Sequence, residues 1–317
     1  MLEGEALKIL HVCASWRENN GAANIARMIM REQEKAGEQV SFTTWASPLA
    51  LRAADEVWIH CSWMPCLWWA ALWGKNSHWV PECSYDPIRR AYHGWKKSLV
   101  GPIERFFLRR ADVVVATCPA EAEWIRKYEP RVKKIEVTDI KRFFDLNHEI
   151  HETHEKEQPL HLLYLGRRHP LKGVEYLEEA LRKCENVEVW KYGSVEMPNE
   201  CEGGIIFRAE SNVFGEGKEK VWEWCDVLVL PTLSENFGLV VAEALERGKR
   251  VITTDGAPAW GDDCKCRMDS VKCKNGDGEI WKGYDGRLIY LKGYREGTRE
   301  ERIALIQSAI EKVACQP

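Results

Sequence analysis

The chain has 317 residues, of which 45% are hydrophobic and 30% charged, and its formal net charge is −4. This length predicts about two domains, and so small a net charge argues against a nucleic-acid-binding protein. The twelve cysteines are scattered through apparent strands and helices, which is typical of reduced thiols in the cytosol and not of a disulfide framework. The first eight residues lack the basic-then-apolar order of a secretory signal.

The first half of the chain alternates short apolar runs with helical patterns. A first strand is predicted at residues 8–13, and a helix from Ala22 to about Ala36, where Gly37 ends it. Further strands are predicted at 40–45, 57–61, 78–80, 113–116 and 135–137. This alternation is typical of a doubly wound parallel sheet.

The second half repeats the alternation after a polar segment, residues 145–158, which is predicted to be an interdomain linker. Strands are predicted at 160–165, 187–190, 204–207, 227–230 and 251–253, and helices at 171–184, 218–224 and 298–313. The fold is therefore predicted to be α/β, with two Rossmann-like, doubly wound domains and a cleft between them. The predicted parts are an N-terminal domain at 1–150, a C-terminal domain at 151–297, and a C-terminal helix at 298–317 that packs back toward the N-terminal domain.

The most informative segment runs from residue 234 to residue 245. Glu235 lies in the turn between a predicted strand that ends at Pro231 and a predicted helix, and Gly238 beside it allows backbone to approach a ligand. Glu243 follows two turns down that helix. Amide groups at a helix start bind phosphate, and the two acids can hold hydroxyl groups on either side of it. The segment therefore predicts a nucleotide-sugar site.

A basic loop precedes this segment, between the predicted strand that ends at Gly166 and the next predicted helix. Arg167 and Arg168 follow the strand directly, and Lys172 comes at the head of the helix. An arginine presents a planar fork that matches phosphate oxygens, and a lysine adds a compact point charge. The alternative interpretation is a solvated basic loop, and this segment alone does not decide between the two.

Together the two segments resemble the retaining family 4 glycosyltransferases of GT-B fold, and the resemblance is close over the C-terminal half. The matching features are a Gly-Arg…Lys-Gly loop and a Glu-x7-Glu motif, formed here by Glu235 and Glu243. The resemblance implies that Arg167 and Lys172 hold the pyrophosphate of the donor.

The same resemblance implies how the rest of the donor is held. It implies that Glu235, with the backbone at Phe237 and Gly238, grips the donor sugar. Glu243 is implied to bind the ribose hydroxyls, and Arg208 lies where the nucleobase is usually met.

The N-terminal half resembles the family more loosely. Gly21 stands where the family often has a Gly-Gly turn facing the donor phosphates, and one glycine is missing here. His60 matches the end of an acceptor-domain strand, and it acts either as a general base or as a hydrogen-bonded core residue. Many members have a His or Arg near the reacting sugar where this chain has Glu82, which either replaces that contact or faces solvent. The candidate catalytic residues are Glu235, His60 and Glu82.

The activity implied by the resemblance is transfer of a sugar from an NDP-sugar to an acceptor hydroxyl, with retention at the anomeric carbon. No cofactor is expected, and a UDP-sugar is the favoured donor. Because no Asp-x-Asp motif is present, metal is not required, and Arg167, Lys172 and a helix N-terminus can stabilise the leaving diphosphate. The acceptor is expected to be a glycan or a lipid-linked glycan in lipopolysaccharide or capsule assembly. Two alternatives are a nucleotide-sugar epimerase or hydrolase, and a degenerate GT-B protein that binds without catalysis.

Two groups of metal-ligating residue types are also present. Three cysteines lie close together in a polar stretch at Cys264, Cys266 and Cys273. They lack a fourth ligand and the paired spacing of a zinc site, so loop cysteines are expected. The histidines of the linker lack the spacing of a zinc protease, so no metal site is expected there either.

Fifteen tryptophans raise the question of a membrane, because six of them fall between Trp58 and Trp79. Residues 57–74 carry no formal charge, but Pro65 and several polar residues argue against a membrane-spanning helix. Packing in the core or stacking on acceptor sugars accounts for these tryptophans. Basic and aromatic residues from 89 to 110 suggest contact with an anionic membrane surface. The expected location is cytoplasmic, with peripheral contact at the inner face of the membrane.

Overall fold

The structure is a computed structural model that describes residues 6–17, 20–61, 65–82, 84–146, 159–184, 187–192, 206–210, 216–271 and 278–314. The chain divides into two compact units, Met1–Phe143 and Phe144–Pro317. Each unit is built around one predominantly parallel sheet with helices. The predicted α/β fold with two Rossmann-like domains is therefore confirmed. The predicted linker lies almost entirely outside the described residues.

The first domain contains a six-stranded parallel sheet in the order β2-β1-β3-β4-β5-β6. Its strands are β1 (Lys8–Cys13), β2 (Gln39–Thr43), β3 (Glu56–His60), β4 (Ser77–Val80), β5 (Val113–Ala116) and β6 (Ile135–Val137). Its helices are α1 (Gly21–Lys35), α2 (Pro48–Ala53), α3 (Pro65–Trp73), α4 (Pro87–His93), α5 (Trp95–Arg110) and α6 (Pro119–Tyr128), and a 3-10 turn covers Ile140–Phe143.

The core of this domain lies between the sheet and its helices. Val57 and Ile59 of β3 alternate with less buried neighbours and pack in one cluster with Leu67, Trp79 and Leu108. Since Trp79 is completely buried, core packing accounts for it. Helix α1 begins where Asn20 accepts a hydrogen bond from an amide of the first turn, as helix-capping side chains do.

The second domain contains an eight-stranded sheet in the order β12-β13-β14-β11-β10-β7-β8-β9. Its strands are β7 (Leu160–Leu165), β8 (Val187–Tyr192), β9 (Ile206–Glu210), β10 (Val227–Leu230), β11 (Arg250–Thr254), β12 (Cys264–Val271), β13 (Gly278–Gly283) and β14 (Leu288–Lys292). Its helices are α7 (Val174–Leu181), α8 (Glu216–Trp224), α9 (Leu239–Glu246) and α10 (Arg299–Ala314), with 3-10 turns at Pro170–Lys172, Pro258–Asp263 and Tyr284–Gly286.

Two features of the second domain differ from the prediction. Strand β14 and the antiparallel strands β12 and β13, which extend the sheet beyond it, were not predicted, and Cys264 and Cys266 lie in a strand and not in a loop. The helix predicted at 171–184 is divided, because Gly173 adopts a left-handed conformation between the 3-10 turn and α7.

The terminal helix α10 packs mainly against α7 and the antiparallel part of the second sheet. Its buried face carries Ile303, Ile306 and Ile310, as the sequence periodicity predicted. The predicted packing of this helix toward the N-terminal domain stays a prediction. None of the helices in the described residues combines the length and apolar character needed to cross a membrane.

Candidate active site

Two loops meet at the carboxyl edge of the second sheet, where the strand order reverses. The chain proceeds from β7 to β8 and β9 on one side, and returns to the other side of β7 with β10. Ligands of open α/β sheets bind at such switch points. The loop after β7 holds Lys172 and the loop after β10 holds Glu235. The two motifs singled out in the sequence therefore lie side by side.

Hydrogen bonds to a single carbonyl group fasten the two loops together. The carbonyl oxygen of Leu171 accepts from the backbone N–H of Leu233 at 2.8 Å and from that of Ser234 at 3.4 Å. The hydroxyl of Thr232 donates to the same oxygen at 3.0 Å. Because Thr232 and Ser234 are completely buried, these bonds are shielded from water and hold the loops in fixed register.

Gly173 allows the backbone of the β7 loop to approach the end of β10. Its φ is +62°, and a Cβ atom at this position would lie 2.1 Å from the carbonyl oxygen of Pro231. An L-residue is disfavoured at such a φ, and the contact excludes any side chain. The glycine thus sets the position of Lys172 relative to the turn that follows β10.

Lys172 and Glu235 form an ion pair between Nζ and Oε2. The two side chains are 13% and 20% exposed, so a ligand from solvent can reach both charges. The backbone N–H of Glu235 donates to the carbonyl of Gly256 at 2.8 Å, which anchors the acid from the β11 side. A cation and a carboxylate are therefore held together at the switch point.

The two arginines after β7 have different surroundings. Arg168 is bound by both oxygens of Glu178, at 2.8 and 3.2 Å. Arg167 is exposed and its guanidinium forms no ion pair with the described part of the chain. Its carbonyl accepts the hydroxyl of Tyr164 at 3.0 Å, which fixes the backbone at this point. Of the two cations, Arg167 is the one available to a phosphate group.

The turn after Glu235 ends in a buried aromatic anchor. Phe237 is 1% exposed and packs on Trp260 and Phe144, with ring centroids 5.0 and 6.2 Å apart. The indole N–H of Trp260 donates to the carbonyl of Phe237 at 2.6 Å. Gly238 then takes a left-handed conformation, with φ of +73°, and α9 begins.

Two backbone amides at the start of helix α9 are unpaired. The amide N–H groups of Phe237 and Gly238 have no hydrogen-bond partner within the described residues. Unpaired amides at the start of a helix carry partial positive charge and bind anions. They follow Glu235, the carboxylate of the ion pair, within the same turn.

Glu243 lies on α9 and pairs with a cation that the sequence analysis did not identify. Lys218 of α8 approaches Glu243 Oε2 at 2.6 Å, and the two side chains are 28% and 23% exposed. Arg247 donates to the carbonyl of Glu243 at 3.0 Å. Lys218 was predicted to be helical, but its face on that helix was not determined from the sequence.

Two other expectations fall partly outside what the structure describes. Arg208 lies in β9 opposite Trp190, and its side chain is outside the described residues, as are the side chain of Cys266 and all of Cys273. Among the residues that the structure does describe, no group of three or more His, Cys, Asp or Glu side chains could hold a metal ion.

The first domain holds the remaining candidates. Gly21 opens α1, and a Cβ atom there would meet nothing within 4 Å, so packing does not require this glycine. His60 ends β3 and is completely buried, and burial lowers its pKa to about 3. Glu82 follows β4, its side chain is 9% exposed, and burial raises its pKa to about 8. His60 can therefore reach a substrate only through another group, whereas Glu82 lies at the margin of the core.

The sequence matches two glycosyltransferase domain models. Residues 41–139 match the glycosyl transferase 4-like domain, and residues 159–270 match glycosyl transferases group 1. The first match lies within the first domain and the second match within the second domain. A comparison with curated proteins finds no match.

Several solved structures share the fold at low sequence identity. Anabaena Alr3699/HepE in complex with UDP-glucose is 16% identical, with a TM-score of 0.65 over 97% of this chain and 90% of that chain. WaaG, a glycosyltransferase involved in lipopolysaccharide biosynthesis, is 14% identical, with a TM-score of 0.61 over 96% and 90%. Sucrose-phosphate synthase from Thermosynechococcus elongatus is 15% identical, with a TM-score of 0.56 over 78% and 80%. At these identities the likeness shows the fold, which is GT-B.

Proposed function

Since this chain is a glycosyltransferase with a GT-B fold, we propose that it moves a sugar from an NDP-sugar to an acceptor hydroxyl with retention at the anomeric carbon. The observation that carries this proposal is the ion pair between Lys172 and Glu235 at the switch point of the second sheet. Retention is consistent with the Glu-x7-Glu spacing of Glu235 and Glu243, which is the motif of the retaining family that the chain resembles.

The pair supplies the two kinds of group that a nucleotide sugar needs. A diphosphate that enters the site binds Lys172, and this releases Glu235 to accept hydrogen bonds from hydroxyls of the donor sugar. The unpaired amide N–H groups of Phe237 and Gly238 add hydrogen-bond donors for the same ligand, and the exposed Arg167 adds a second cation. Glu243, about one turn into α9, accepts from the ribose hydroxyls.

Catalysis follows from how charge develops in this site. When the glycosidic bond to the diphosphate breaks, negative charge grows on the phosphate oxygens. Lys172, Arg167 and the start of α9 are held in place before the reaction, so they stabilise this charge without reorganising. The acceptor is a glycan or a lipid-linked glycan, and a UDP-sugar is the favoured donor, because a neighbour of the same fold is seen with UDP-glucose.

An assay with labelled UDP-sugar tests the reaction class. Transfer of label to a glycan acceptor, with the anomeric configuration kept in the product, supports the proposal. Free epimerised or hydrolysed sugar formed equally well without acceptor indicates a nucleotide-sugar epimerase or hydrolase. Binding of nucleotide without turnover indicates a binding protein.

Replacing Lys172 should mainly weaken nucleotide binding. We expect Lys172→Ala to raise the Kd for UDP by about tenfold, or roughly 1.4 kcal/mol, because one partly shielded contact to phosphate is lost. The measurement is the thermal shift that UDP, GDP and ADP produce in each protein, since a ligand that binds only the folded state raises the melting temperature. Lys292→Ala is the matched control, because Lys292 is an exposed lysine of β14. An unchanged UDP shift in Lys172→Ala would contradict the assignment.

We also propose that helix α5 rests on an anionic membrane surface, where a lipid-linked acceptor is found. Large apolar side chains recur along its exposed face at Trp95, Leu99, Ile103 and Phe106, which are 69%, 68%, 41% and 48% exposed. The helix carries five cations, of which Lys97 is buried in an ion pair with the one acid of the helix, Glu104. Arg90 of α4 pairs with the same acid. Apolar residues flanked by cations are typical of helices that bind anionic membranes.

Vesicle flotation tests this surface. We expect the protein to float with vesicles that contain phosphatidylglycerol but not with pure phosphatidylcholine, and high salt should weaken the binding because it screens the cations. Leu99→Glu should abolish flotation by placing a charge in the apolar stripe. Leu49→Glu is the control, since Leu49 is 79% exposed on α2, outside the stripe. Equal flotation of the two variants would show that α5 is not the contact.

A further inference from the structure

Four polar side chains lie in a row inside the first domain, and we call them the polar row. His11 Nδ1 lies 2.9 Å from His60 Nε2, and His11 Nε2 lies 2.7 Å from Gln33 Oε1. At the other end, His60 Nδ1 lies 3.6 Å from Glu82 Oε1. Both histidines are completely buried, so water does not compete for these contacts.

The fold brings the side chains of the polar row together at a second switch point. In the first domain the polypeptide runs from β1 to β2 on one side and returns with β3 on the other side of β1. His11 lies on β1 and His60 ends β3, while Gln33 comes from α1 and Glu82 from the residues after β4. The carboxyl edge of the sheet, which Glu82 borders, is the ligand side of this class of fold.

The amide oxygen of Gln33, at one end of the polar row, determines which ring nitrogen of each histidine carries the proton. The amide oxygen of Gln33 only accepts, so His11 must carry its proton on Nε2. A neutral His11 then accepts at Nδ1, and the partner nitrogen of His60, Nε2, must donate. A neutral His60 therefore has no proton on Nδ1, which is an acceptor facing Glu82.

Burial keeps both histidines in the neutral form that this assignment needs. The pKa of His11 lies well below its usual value because of burial and the neighbouring His60, and burial lowers the pKa of His60 to about 3. His60 Nδ1 and Glu82 Oε1 are both buried without a hydrogen-bond partner, and they lie 3.6 Å from each other. A proton on Glu82 Oε1 places a donor between the two atoms, which then need to approach by only a few tenths of an ångström to form a hydrogen bond, whereas an ionised Glu82 would leave two buried acceptors facing each other.

The backbone at this edge is held in an uncommon conformation. Cys61 and Glu82 have φ values of +74° and +53°, although neither is glycine. The two residues follow neighbouring strands, and the N–H of Cys61 donates to the carbonyl of Val80 at 2.9 Å. Strained backbone of this kind is concentrated at functional sites, and here it sets the direction in which Glu82 leaves the sheet.

We propose that Gln33, His11 and His60 are positioning residues that hold Glu82 as a neutral acid, whose second oxygen, Oε2, accepts a hydrogen bond from a sugar hydroxyl. The sugar hydroxyl in this statement rests on the proposed function, and the proton assignment does not.

Three charged or titratable groups of the described residues face Glu82, two of them neutral and one, a cation, opposing the neutral acid. They are His60 of β3, Cys13 of β1 and Arg89 of α4. Burial raises the pKa of Cys13 to about 11, so this thiol is neutral. Burial raises the pKa of Glu82 to about 8, and the charge of Arg89 acts in the opposite, lowering direction.

Histidine tautomers test the proton assignment without any substrate. In long-range 1H–15N spectra of the intact protein at neutral pH, we expect both His11 and His60 to be neutral with the proton on Nε2. Gln33→Glu keeps an acceptor at the same place and should preserve the two tautomers, whereas Gln33→Leu should lose the preference. Protons on Nδ1 of both rings in the wild-type protein would mean that His60 donates to an ionised Glu82, and this would overturn the proposal.

Glu82→Gln tests the role of the neutral acid. Gln keeps an oxygen acceptor and a donor at this position but cannot ionise, so the variant tests whether the pH dependence of transfer comes from Glu82. Wild-type activity should fall as pH rises through about 8, where Glu82 ionises, and the variant should not show this fall. Glu82→Ala should be inactive. A Gln variant whose transfer falls with pH as steeply as that of the wild type, with the expected tautomers, would overturn the role of Glu82, whereas no transfer by the wild type from any NDP-sugar would overturn the proposed function instead.

Melting temperature gives a readout that is independent of activity. The folded protein keeps the proton of Glu82 until pH is about 8, and the unfolded chain releases it near the ordinary value of 4.5. Raising the pH across this window therefore favours the unfolded state. We expect wild-type stability to fall more than that of Glu82→Gln over this window, and equal slopes would contradict a neutral Glu82.

Discussion

The Glu235→Ala variant is expected to lose roughly 100- to 1,000-fold in kcat for sugar transfer, while its affinity for UDP stays equal to that of wild type or increases. The carboxylate of Glu235 is proposed to hold hydroxyls of the sugar, and this contact is lost. Lys172 is paired with Glu235 in the free protein, so removing the acid leaves this lysine available to the diphosphate. The variant thus separates catalysis from nucleotide binding.

The measurement is a kcat from a transfer assay together with a Kd for UDP from calorimetry. Glu179→Ala is the matched control, since Glu179 is an exposed acid of α7 that pairs with Arg299 at the surface, where such pairs contribute little. Its turnover and melting temperature should equal those of wild type. A Glu235→Ala protein that turns over normally would remove Glu235 from the site.

The meeting of the two loops at the proposed donor site could be predicted because the signals that mark each loop are local. Strand β10 is a continuous apolar run, and the turn after it carries Glu235 and Gly238 within a few residues. The adjacency of β7 and β10, which brings Lys172 to Glu235, follows from the topology of doubly wound sheets. A sequence pattern of alternating strands and helices therefore predicts which loops meet.

The contacts that were missed depend on pairing between distant segments. Strand β12 is polar and charged, and it is a strand because it pairs with β13, so its own composition does not reveal it. His11 lies inside an apolar strand, and its partner His60 is 49 residues away. From the sequence His60 was either a general base or a core residue. The buried contact with His11 indicates that it is a core residue that positions its neighbours.

The Gly173→Ala variant is expected to lose about 2–5 kcal/mol of folding free energy and to bind UDP more weakly. Gly173 has a φ of +62°, and the added Cβ would lie 2.1 Å from the carbonyl oxygen of Pro231, so the backbone has to move. That movement displaces Lys172, the preceding residue, from Glu235. Urea unfolding and UDP calorimetry on the same protein measure the two effects.

Gly21→Ala is the matched control for stability, because a Cβ there meets nothing within 4 Å, and its free energy of unfolding should lie within about 0.5 kcal/mol of wild type. If Gly173→Ala were as stable as Gly21→Ala, the close approach of the two loops on which the donor site depends would be wrong.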